Sequence, residues 1–182
     1  MIIKHGCATL RAIEEKDFDL LFETINSPEI ENQTGGWNLP VSTHEQKQWM
    51  LSHRNTEKSI RLMIELENGH TIGMVTLSNI DWKNRVAFIH YKVRNSLEGR
   101  IKGDMQDAVI GMLGYAFMEL GMNCIEGSIM CSNTFSRKLA KKVGFTEDGI
   151  LRQRIYKNGK YHDKVEISIL RDEYISIHGR IR

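Results

Sequence analysis

The stretch VRNSLEGRIKGDM, residues 93–105, joins a predicted strand to a predicted long helix. A glycine-containing loop that leads into a helix presents unpaired backbone amides at the positive end of the helix dipole, and this arrangement binds phosphate oxygens. Arg100 and Lys102 add positive charge, and glycine at position 103 lets the backbone approach an anion closely. A glycine near a helix start is more often a simple turn, so the neighbouring segments must decide between the two interpretations.

The chain before this stretch predicts helices and then a run of strands. Pro28 ends a helical pattern, since proline disfavours α geometry in the preceding residue, and Ser42 with Glu45 has the capping-box spacing. Alternating apolar residues then predict an antiparallel meander of three strands. The predicted elements are a strand at 7–13, a helix at 15–26, a loop at 28–41, a helix at 42–54, and strands at 60–65, 71–77 and 86–93.

The chain after this stretch changes to a helical period. Apolar residues form one broad face between Gly103 and Leu120, and Gly121 suits a C-terminal cap. The further predictions are a strand at 125–130, a helix at 133–143, a hairpin of strands at 149–156 and 161–170, and a partly helical end. This order predicts one domain over residues 1–182, of mixed α/β class, with a mostly antiparallel sheet flanked by helices.

Composition and charge exclude several classes of protein. The 182 residues are 41% hydrophobic and 26% charged, which is typical of a globular domain. A net charge of +2 is too small to predict nucleic acid or an anionic membrane as the main partner. Three cysteines without a CxxC pair predict packed thiols in a reducing compartment and no metal site. Without an apolar leader or a membrane-length apolar run, we expect a cytoplasmic protein.

A second motif follows the strand predicted at 125–130. Asn133 and Ser136 begin a helix that leads to Val143-Gly144-Phe145. Asparagine is a preferred helix cap, so the simpler interpretation of Asn133 is structural. The alternative is that its side-chain amide contacts a ligand lying between the two helices.

In combination, these motifs resemble those of the GNAT acetyltransferases. Arg100-x-x-Gly103-x-Met105 resembles their (Q/R)xxGx(G/A) coenzyme A signature, and Asn133-x-x-Ser136 with Val143-Gly144-Phe145 resembles the elements that follow it. The resemblance covers residues 8–174. It implies the GNAT acyl-CoA N-acyltransferase fold and an enzyme that moves an acetyl group from acetyl-coenzyme A (acetyl-CoA) to a primary amine by direct attack in a ternary complex.

Two further motifs are similar to those of the RimJ/RimL branch of that family. They are Leu10-Arg11 with Asp17, and the hairpin sequence Tyr156-x-Asn158-Gly159-x-Tyr161-x-Asp163. The branch acetylates ribosomal proteins, polyamines and nucleotide aminosugars. The acceptor therefore stays open: a protein N-terminus, a polyamine, an amino sugar nucleotide and an aminoglycoside all fit.

The resemblance also implies where acetyl-CoA binds. In the family, the strand before the signature separates from its neighbour and its backbone binds the pantetheine and the thioester carbonyl, which implies amides near Lys92, Val93 and Arg94. The pyrophosphate would lie over Arg100, Ile101, Lys102, Gly103, Asp104 and Met105, with Asn133 on the pantetheine side. Met105 stands where glycine or alanine is usual and can point into the core. Asp104, an acid beside the anion site, can cap the helix while facing solvent.

Acetyl transfer to an amine needs a base for the ammonium group and an acid for the leaving thiolate. Where many relatives carry a glutamate base this chain has Phe88, and His90 lies two residues further on the same face. Glu31 is a second candidate for acid–base chemistry or amine binding. Where many relatives use a tyrosine acid this chain has Ala140, and Ser136 is the candidate instead. The structural alternatives are a histidine that only fills the sheet and a serine that only bonds the helix backbone.

The acceptor pocket is expected where the loop at 28–41 meets the terminal hairpin. The candidates are Trp37, Tyr156, Tyr161 and His162. Aromatic residues in a hairpin are also typical of cross-strand packing. The oligomeric state stays open, with a homodimer as the commonest arrangement.

Two other functions fit the sequence. A catalytically degenerate, coenzyme A-binding regulatory module would explain Phe88 and Ala140. A ribosome- or RNA-associated protein would explain the basic cluster Arg137, Lys138, Lys141 and Lys142. Such a run on a helix is usually a solvated face, so a nucleic-acid partner is not expected.

Overall fold

The sheet has the predicted class. The computed structural model describes residues 2–36, 39–96 and 98–179. Within these, eight strands form one sheet in the order β1-β2-β3-β4-β5-β6-β8-β7, antiparallel except for the parallel pair β5 and β6. The strands are β1 (Ile3–His5), β2 (Ala8–Arg11), β3 (Ser59–Leu66), β4 (Thr71–Asp81), β5 (Val86–Val93), β6 (Cys124–Met130), β7 (Thr146–Lys157) and β8 (Lys160–Leu170). The mixed, mostly antiparallel sheet is confirmed.

Helices cover both faces of the sheet. They are α1 (Phe18–Asn26) after a 3-10 turn (Glu15–Asp17), α2 (Pro28–Gln33), α3 (Thr43–Ser52), α4 (Asp104–Gly114) with a π-helical continuation (Tyr115–Glu119), α5 (Thr134–Val143) and α6 (Arg171–His178). Ser42 and Glu45 form the predicted capping box of α3, and Gly144 ends α5 at φ 111°.

Two predictions for the N-terminal part differ from the structure. The strand predicted at 7–13 corresponds to β2, and the prediction missed β1, which precedes it and pairs with it across a turn in which Gly6 has φ 51°. The loop at 28–41 contains α2, because proline is compatible with the first turn of a helix and the Ser27 hydroxyl accepts the Ile30 amide at 3.3 Å. Helix α2 matters for function because it carries Glu31 to the terminal hairpin.

The core lies mainly on one face of the sheet. There the apolar side chains of α4 and α5 pack against the central strands, and Tyr174 of α6 is fully buried and donates to the Ile110 carbonyl at 3.2 Å. A smaller cluster of Leu20, Leu21 and Met63 packs α1 on the opposite face.

A buried ion pair ties β2 to the start of α1. The Arg11 guanidinium donates to both carboxylate oxygens of Asp17 at 2.8 Å, and both residues are buried. Burial would raise the pKa of Asp17, but the hydrogen bonds from Arg11 and from the Glu14 amide outweigh it and lower that pKa. The two residues that resemble the RimJ/RimL branch therefore have a structural role.

The three cysteines are partly buried and form no disulfide within the described residues. Burial and the neighbouring Asp107 raise the pKa of Cys7 to about 11, so this thiol is unreactive at neutral pH. No helix in the described ranges is long and apolar enough to span a membrane.

Candidate active site

A gap between β5 and β6 defines the candidate site. Their parallel pairing ends at Phe88 and Glu126, although β5 continues to Val93 and β6 to Met130. Each strand stays paired on its other side, β5 with β4 and β6 with β8. The two strands therefore separate, and one edge of β5 faces the gap.

A cavity of about 780 Å³ occupies this gap, which is within the size range of small-molecule sites. Its walls include residues 88–95 of β5 and the following loop, 127–130 of β6, and 33–36 after α2, together with side chains of α5 and of the terminal hairpin. Because helices on opposite faces of the sheet contribute to the lining, the cavity reaches both faces.

Alternate residues of β5 turn their backbone towards the gap. The Arg94 amide donates to the Ile72 carbonyl at 2.9 Å, and in an antiparallel ladder the paired residues alternate, so Lys92 also turns to β4. The backbone groups of Tyr91 and Val93 face the gap instead. Two of the three predicted amide donors, Lys92 and Arg94, are therefore wrong because they belong to the sheet, and Val93 stays a prediction.

The N-terminus of α4 is neutralised by its own chain. Gly103 adopts φ 94° at the helix cap, but the Asp104 carboxylate, 5% exposed, pairs with Arg100 and accepts the Met105 amide at 2.6 Å. The Asp104 amide donates to the Ile101 carbonyl at 3.0 Å. Burial opposes ionisation, yet the hydrogen bonds from Arg100 lower the pKa of Asp104. The predictions of a solvent-facing Asp104 and of free amides at 104 and 105 are wrong.

The cofactor residues predicted from the signature and from the end of the strand before it divide into two groups. Arg94 and Arg100 line the cavity, whereas Ile101, Lys102, Gly103, Asp104 and Met105 do not. Met105 is 2% exposed, in the core, which explains why its bulk is tolerated. Arg94 lies 3.6 Å from Glu23, and its buried Nε has no hydrogen-bond partner among the described residues.

Asn133 caps α5 as the simpler interpretation predicts. Its side-chain oxygen accepts the Ser136 amide at 3.0 Å, and its side-chain nitrogen donates to the Gln33 carbonyl at 3.0 Å. The residue lines the cavity and links the end of α2 to the start of α5. One amide hydrogen is left for a ligand, so the pantetheine contact stays a prediction.

A hydroxyl pair spans the gap between β5 and α5. The Tyr91 hydroxyl donates to the Ser136 oxygen at 2.9 Å, and both residues line the cavity. Burial raises the pKa of Tyr91 although the bond to Ser136 opposes this, so the phenol is protonated at neutral pH. Because its oxygen accepts from Tyr91, Ser136 can direct its own proton elsewhere.

His90 lies on the opposite face of β5 from Tyr91. It is exposed, lines the cavity and lies opposite Thr76 of β4, with its ring centroid 6.3 Å from that of Phe88. Desolvation within the cavity, together with the positive charges of Arg61 and Lys92, lowers the pKa of His90. The imidazole is therefore neutral near pH 7, the form that accepts a proton.

Glu31 and the terminal hairpin meet as expected, but by an ion pair. Lys157 Nζ lies 2.8 Å from Glu31 Oε1 and also donates to the Glu31 carbonyl, and Asn158 donates to Asn32 at 3.1 Å. Glu31 does not line the cavity. Its described contacts favour a role in holding α2 against the hairpin.

The hairpin aromatics lie away from the cavity. Tyr156 and Tyr161 are 64% and 65% exposed and form a cross-strand pair with centroids 5.0 Å apart, while His162 Nε2 lies 3.3 Å from the Lys157 carbonyl oxygen. Instead, Arg154, Ile155 and Lys164 bring this hairpin into the lining. Trp37, the fourth predicted acceptor residue, lies outside the described residues.

Sequence reasoning missed Tyr91 and the side chain of Lys92. Strand alternation offered the signal: once His90 is placed on one face of β5, Tyr91 must project to the other face, towards the helix that begins at Asn133. Lys92 must share the face of His90. Nothing in the sequence indicated that Tyr91 would meet Ser136, which lies 45 residues away.

Known proteins share this sequence pattern and fold. Residues 8–146 match the family model described as "Acetyltransferase (GNAT) domain". The chain is 33% identical over 175 residues to the "Putative ribosomal N-acetyltransferase YdaF" of Bacillus subtilis (strain 168), covering 91% of this chain and 92% of that protein. The crystal structure of spermidine N-acetyltransferase from Vibrio cholerae in complex with CoA and spermine superposes with a TM-score of 0.82 at 25% identity, over 92% of this chain and 98% of that one.

Proposed function

The chain belongs to the GNAT acetyltransferase family, and we propose that it moves the acetyl group of acetyl-CoA to a primary amine by direct attack in a ternary complex. The observation that carries the proposal is the gap between β5 and β6, whose cavity reaches both faces of the sheet. Two reactants can then approach one point from opposite sides, which is what direct transfer needs. The solved relative crystallised with CoA supports acetyl-CoA as the donor.

The residues on the α4 and α5 side fit an anionic donor with a long polar arm. On that side Arg100 lines the cavity and the backbone of Val93 faces the gap, whereas Arg94 lines the cavity from the α1 face, 3.6 Å from Glu23. Bound acetyl-CoA would supply a thioester carbonyl for attack. Asn133 would contact its pantetheine, and the loop with Ile101, Lys102 and Gly103 would lie beside its pyrophosphate.

His90 is the proposed base, directly or through water. Its neutral imidazole lies on the cavity face that α2 and the hairpin border, and Phe88 beside it carries no ionisable group. Removing a proton from the acceptor ammonium makes the nitrogen lone pair available for attack. Glu31 acts indirectly, by holding α2 to Lys157.

Ser136 and Tyr91 are the proposed acid for the leaving thiolate. Ser136 donates its hydroxyl proton to the thiolate, Tyr91 returns a proton to Ser136 through the 2.9 Å hydrogen bond, and Tyr91 in turn regains a proton from solvent. The pair stands where a tyrosine at position 140 would otherwise serve, and Ala140 lines the same cavity. Membership of the RimJ/RimL branch, a homodimer, a cytoplasmic location and acceptor contacts by Trp37, Tyr156, Tyr161 and His162 stay predictions made from the sequence.

Release of free coenzyme A thiol from acetyl-CoA, with and without a panel of primary amines, tests the function. We expect thiol release that depends on the amine, with the acetylated amine detected by mass spectrometry. The occupation of the usual Glu and Tyr positions by Phe88 and Ala140 favours one alternative, a coenzyme A-binding regulatory module. Cofactor affinity by calorimetry without turnover of any amine would support that alternative.

A further inference from the structure

The ionisable side chains of His, Lys and Arg that line the cavity have no acidic counterpart among the described lining residues. Six of its residues carry basic side chains, namely His90, Lys92, Arg94, Arg100, Arg154 and Lys164, and no aspartate or glutamate of the described residues lines it. A net charge of +2 for the whole chain would not predict this segregation. Such a lining attracts anions and repels cations.

Three of these six side chains already have a carboxylate nearby. Arg100 pairs with Asp104, Arg94 lies 3.6 Å from Glu23, and Lys164 lies 2.7 Å from Glu166. Lys92 and Arg154 differ, because within the described ranges neither forms an ion pair within 4 Å. The Glu31 carboxylate raises the pKa of Lys92, but its ion pair is with Lys157, whose Nζ lies 2.8 Å from Glu31 Oε1.

Lys92 lies close to His90, the residue proposed to accept the proton of the acceptor amine. Lys92 lies two residues from His90 on the same strand face, about 7 Å along β5. Its side chain is partly desolvated, and burial lowers the pKa of Lys92, with Glu31 opposing and Lys157 adding to the shift. A negative charge on a ligand beside Lys92 would add to the effect of Glu31 and favour the charged form of the lysine amine.

Resting on the proposed function, we propose that the acceptor is a primary amine that also carries an anionic group, a carboxylate or a phosphate, which Lys92 binds together with Arg154. The amine reaches His90 while the anion lies further along β5. A polyamine would place additional positive charge against Lys92 and Arg154, and like charges at this separation repel. The acceptor class thus differs from that in the name of the spermidine N-acetyltransferase, whose fold the chain shares.

Four amines that share a 3-aminopropyl group test this inference. They are 3-aminopropyl phosphate, 4-aminobutyrate, 3-aminopropanol and spermidine. We expect kcat/KM for the better anionic amine to exceed that for 3-aminopropanol by roughly tenfold, the effect of one charge-assisted hydrogen bond, with spermidine lowest. The order of the phosphate and the carboxylate identifies the anionic group.

Variants at Lys92 make the comparison specific. Lys92→Gln should bring the ratio of kcat/KM between the anionic amine and 3-aminopropanol close to one, and Lys92→Glu should favour spermidine. Because a ratio between acceptors is measured, partial loss of folded protein cancels. Lys83→Gln, an exposed lysine in the turn between β4 and β5, is the matched control and should keep the wild-type ratio.

The outcomes separate the two proposals. Acetylation of spermidine in preference to both anionic amines, or an unchanged ratio in Lys92→Gln, would overturn the anionic acceptor and leave the acetyltransferase proposal standing. Failure to acetylate any of the four amines, or any member of the broader panel, would overturn the proposed function and this inference with it.

Discussion

The cavity has one mouth beside α4, the first mouth, and a second mouth beside α1, α2 and the terminal hairpin. The two mouths differ in how many of their basic side chains are paired with a carboxylate. At the mouth beside α4, Arg100 pairs with Asp104. At the mouth beside α1, α2 and the terminal hairpin, Arg94 lies 3.6 Å from Glu23, whereas Lys92 and Arg154 form no ion pair within the described ranges. A sequence motif marks the first mouth and none marks the second. The motif locates a binding site, whereas the unbalanced charge indicates the chemistry of the ligand.

The largest expected effect tests the second mouth as the place of proton transfer. We expect His90→Ala to lower kcat about 100-fold near neutral pH, the lower range for loss of a general base. The pKa of His90 is lowered from its ordinary value of 6.5 by desolvation, Arg61 and Lys92. The neutral imidazole therefore predominates at and above neutral pH. Wild-type kcat should fall only as the pH drops below the pKa of His90.

Complete pH–rate profiles of the two proteins provide the measurement. The acidic limb should be present in the wild type and absent in His90→Ala. His44→Ala, an exposed histidine of α3, serves as the control and should retain the limb. The same acidic limb in both proteins would remove His90 from the reaction and weaken the assignment of this mouth to the acceptor.

The next effect concerns the point where the two mouths meet. Tyr91→Phe keeps the ring but removes the hydroxyl that bonds Ser136, so we expect kcat to fall about tenfold with little change in either KM. Ser136→Ala should have a similar effect, and the double variant should be no worse than the single ones because the two hydroxyls act as a unit. Tyr115→Phe, remote from the cavity lining, should match the wild type. Additive losses would show that Tyr91 and Ser136 act separately.

A smaller effect tests acetyl-CoA binding at the first mouth. Asn133→Ala should raise the KM for acetyl-CoA about fivefold, and more than the KM for the amine. Loss of the α5 cap should also lower the free energy of unfolding by about 1 kcal/mol. Ser42→Ala removes a similar cap from α3, so it should match the stability loss in denaturant unfolding without altering either KM. Equal changes in both KM values would argue against a pantetheine contact.

The smallest effect tests whether the negative charge of Asp104 weakens coenzyme A binding at the first mouth. Asp104→Asn removes a negative charge beside the proposed pyrophosphate site and frees Arg100 from its ion pair. We expect calorimetry to show coenzyme A binding about threefold more tightly, as for one charge near a helix N-terminus. Asp172→Asn, an exposed acid in the first turn of α6, should leave the affinity unchanged. Weaker binding in Asp104→Asn would mean that the ion pair holds Arg100 in its binding position.

Most of the fold could be predicted because its signals are local. The meander of β3, β4 and β5, the helices α4 and α5 and the terminal hairpin follow from hydrophobic period, caps and turn residues. The errors lie where a turn or a cap changes the path of the chain: the turn at Gly6 pairs the unpredicted strand β1 with β2, and Ser27 with Pro28 begins a short helix in the predicted loop. Hydrophobic periodicity does not show whether a turn forms or whether a helix cap is hydrogen-bonded, so it could not predict these two features.

The candidate site could be predicted only in part. Family motifs indicated Arg94, Arg100, Asn133 and Ser136, and all four line the cavity together with His90. Residue type favours the hairpin aromatics as acceptor contacts, but strand register turns Tyr156 and Tyr161 towards each other and brings Arg154 into the lining. Residue type alone could not settle this, because each position in a strand offers two faces and a bulge between Leu151 and Ile155 shifts the register.

The sequence by itself determined the family, the order of the elements and the strand on which the chemistry lies. Those depend on interactions between residues close in the chain. Tertiary structure alone decided that β5 and β6 separate beyond Phe88, that Tyr91 meets Ser136, and that Asp104 rather than solvent or a ligand neutralises Arg100. It also decided which cations are left unbalanced, since the charge of a site depends on partners brought together from distant parts of the chain.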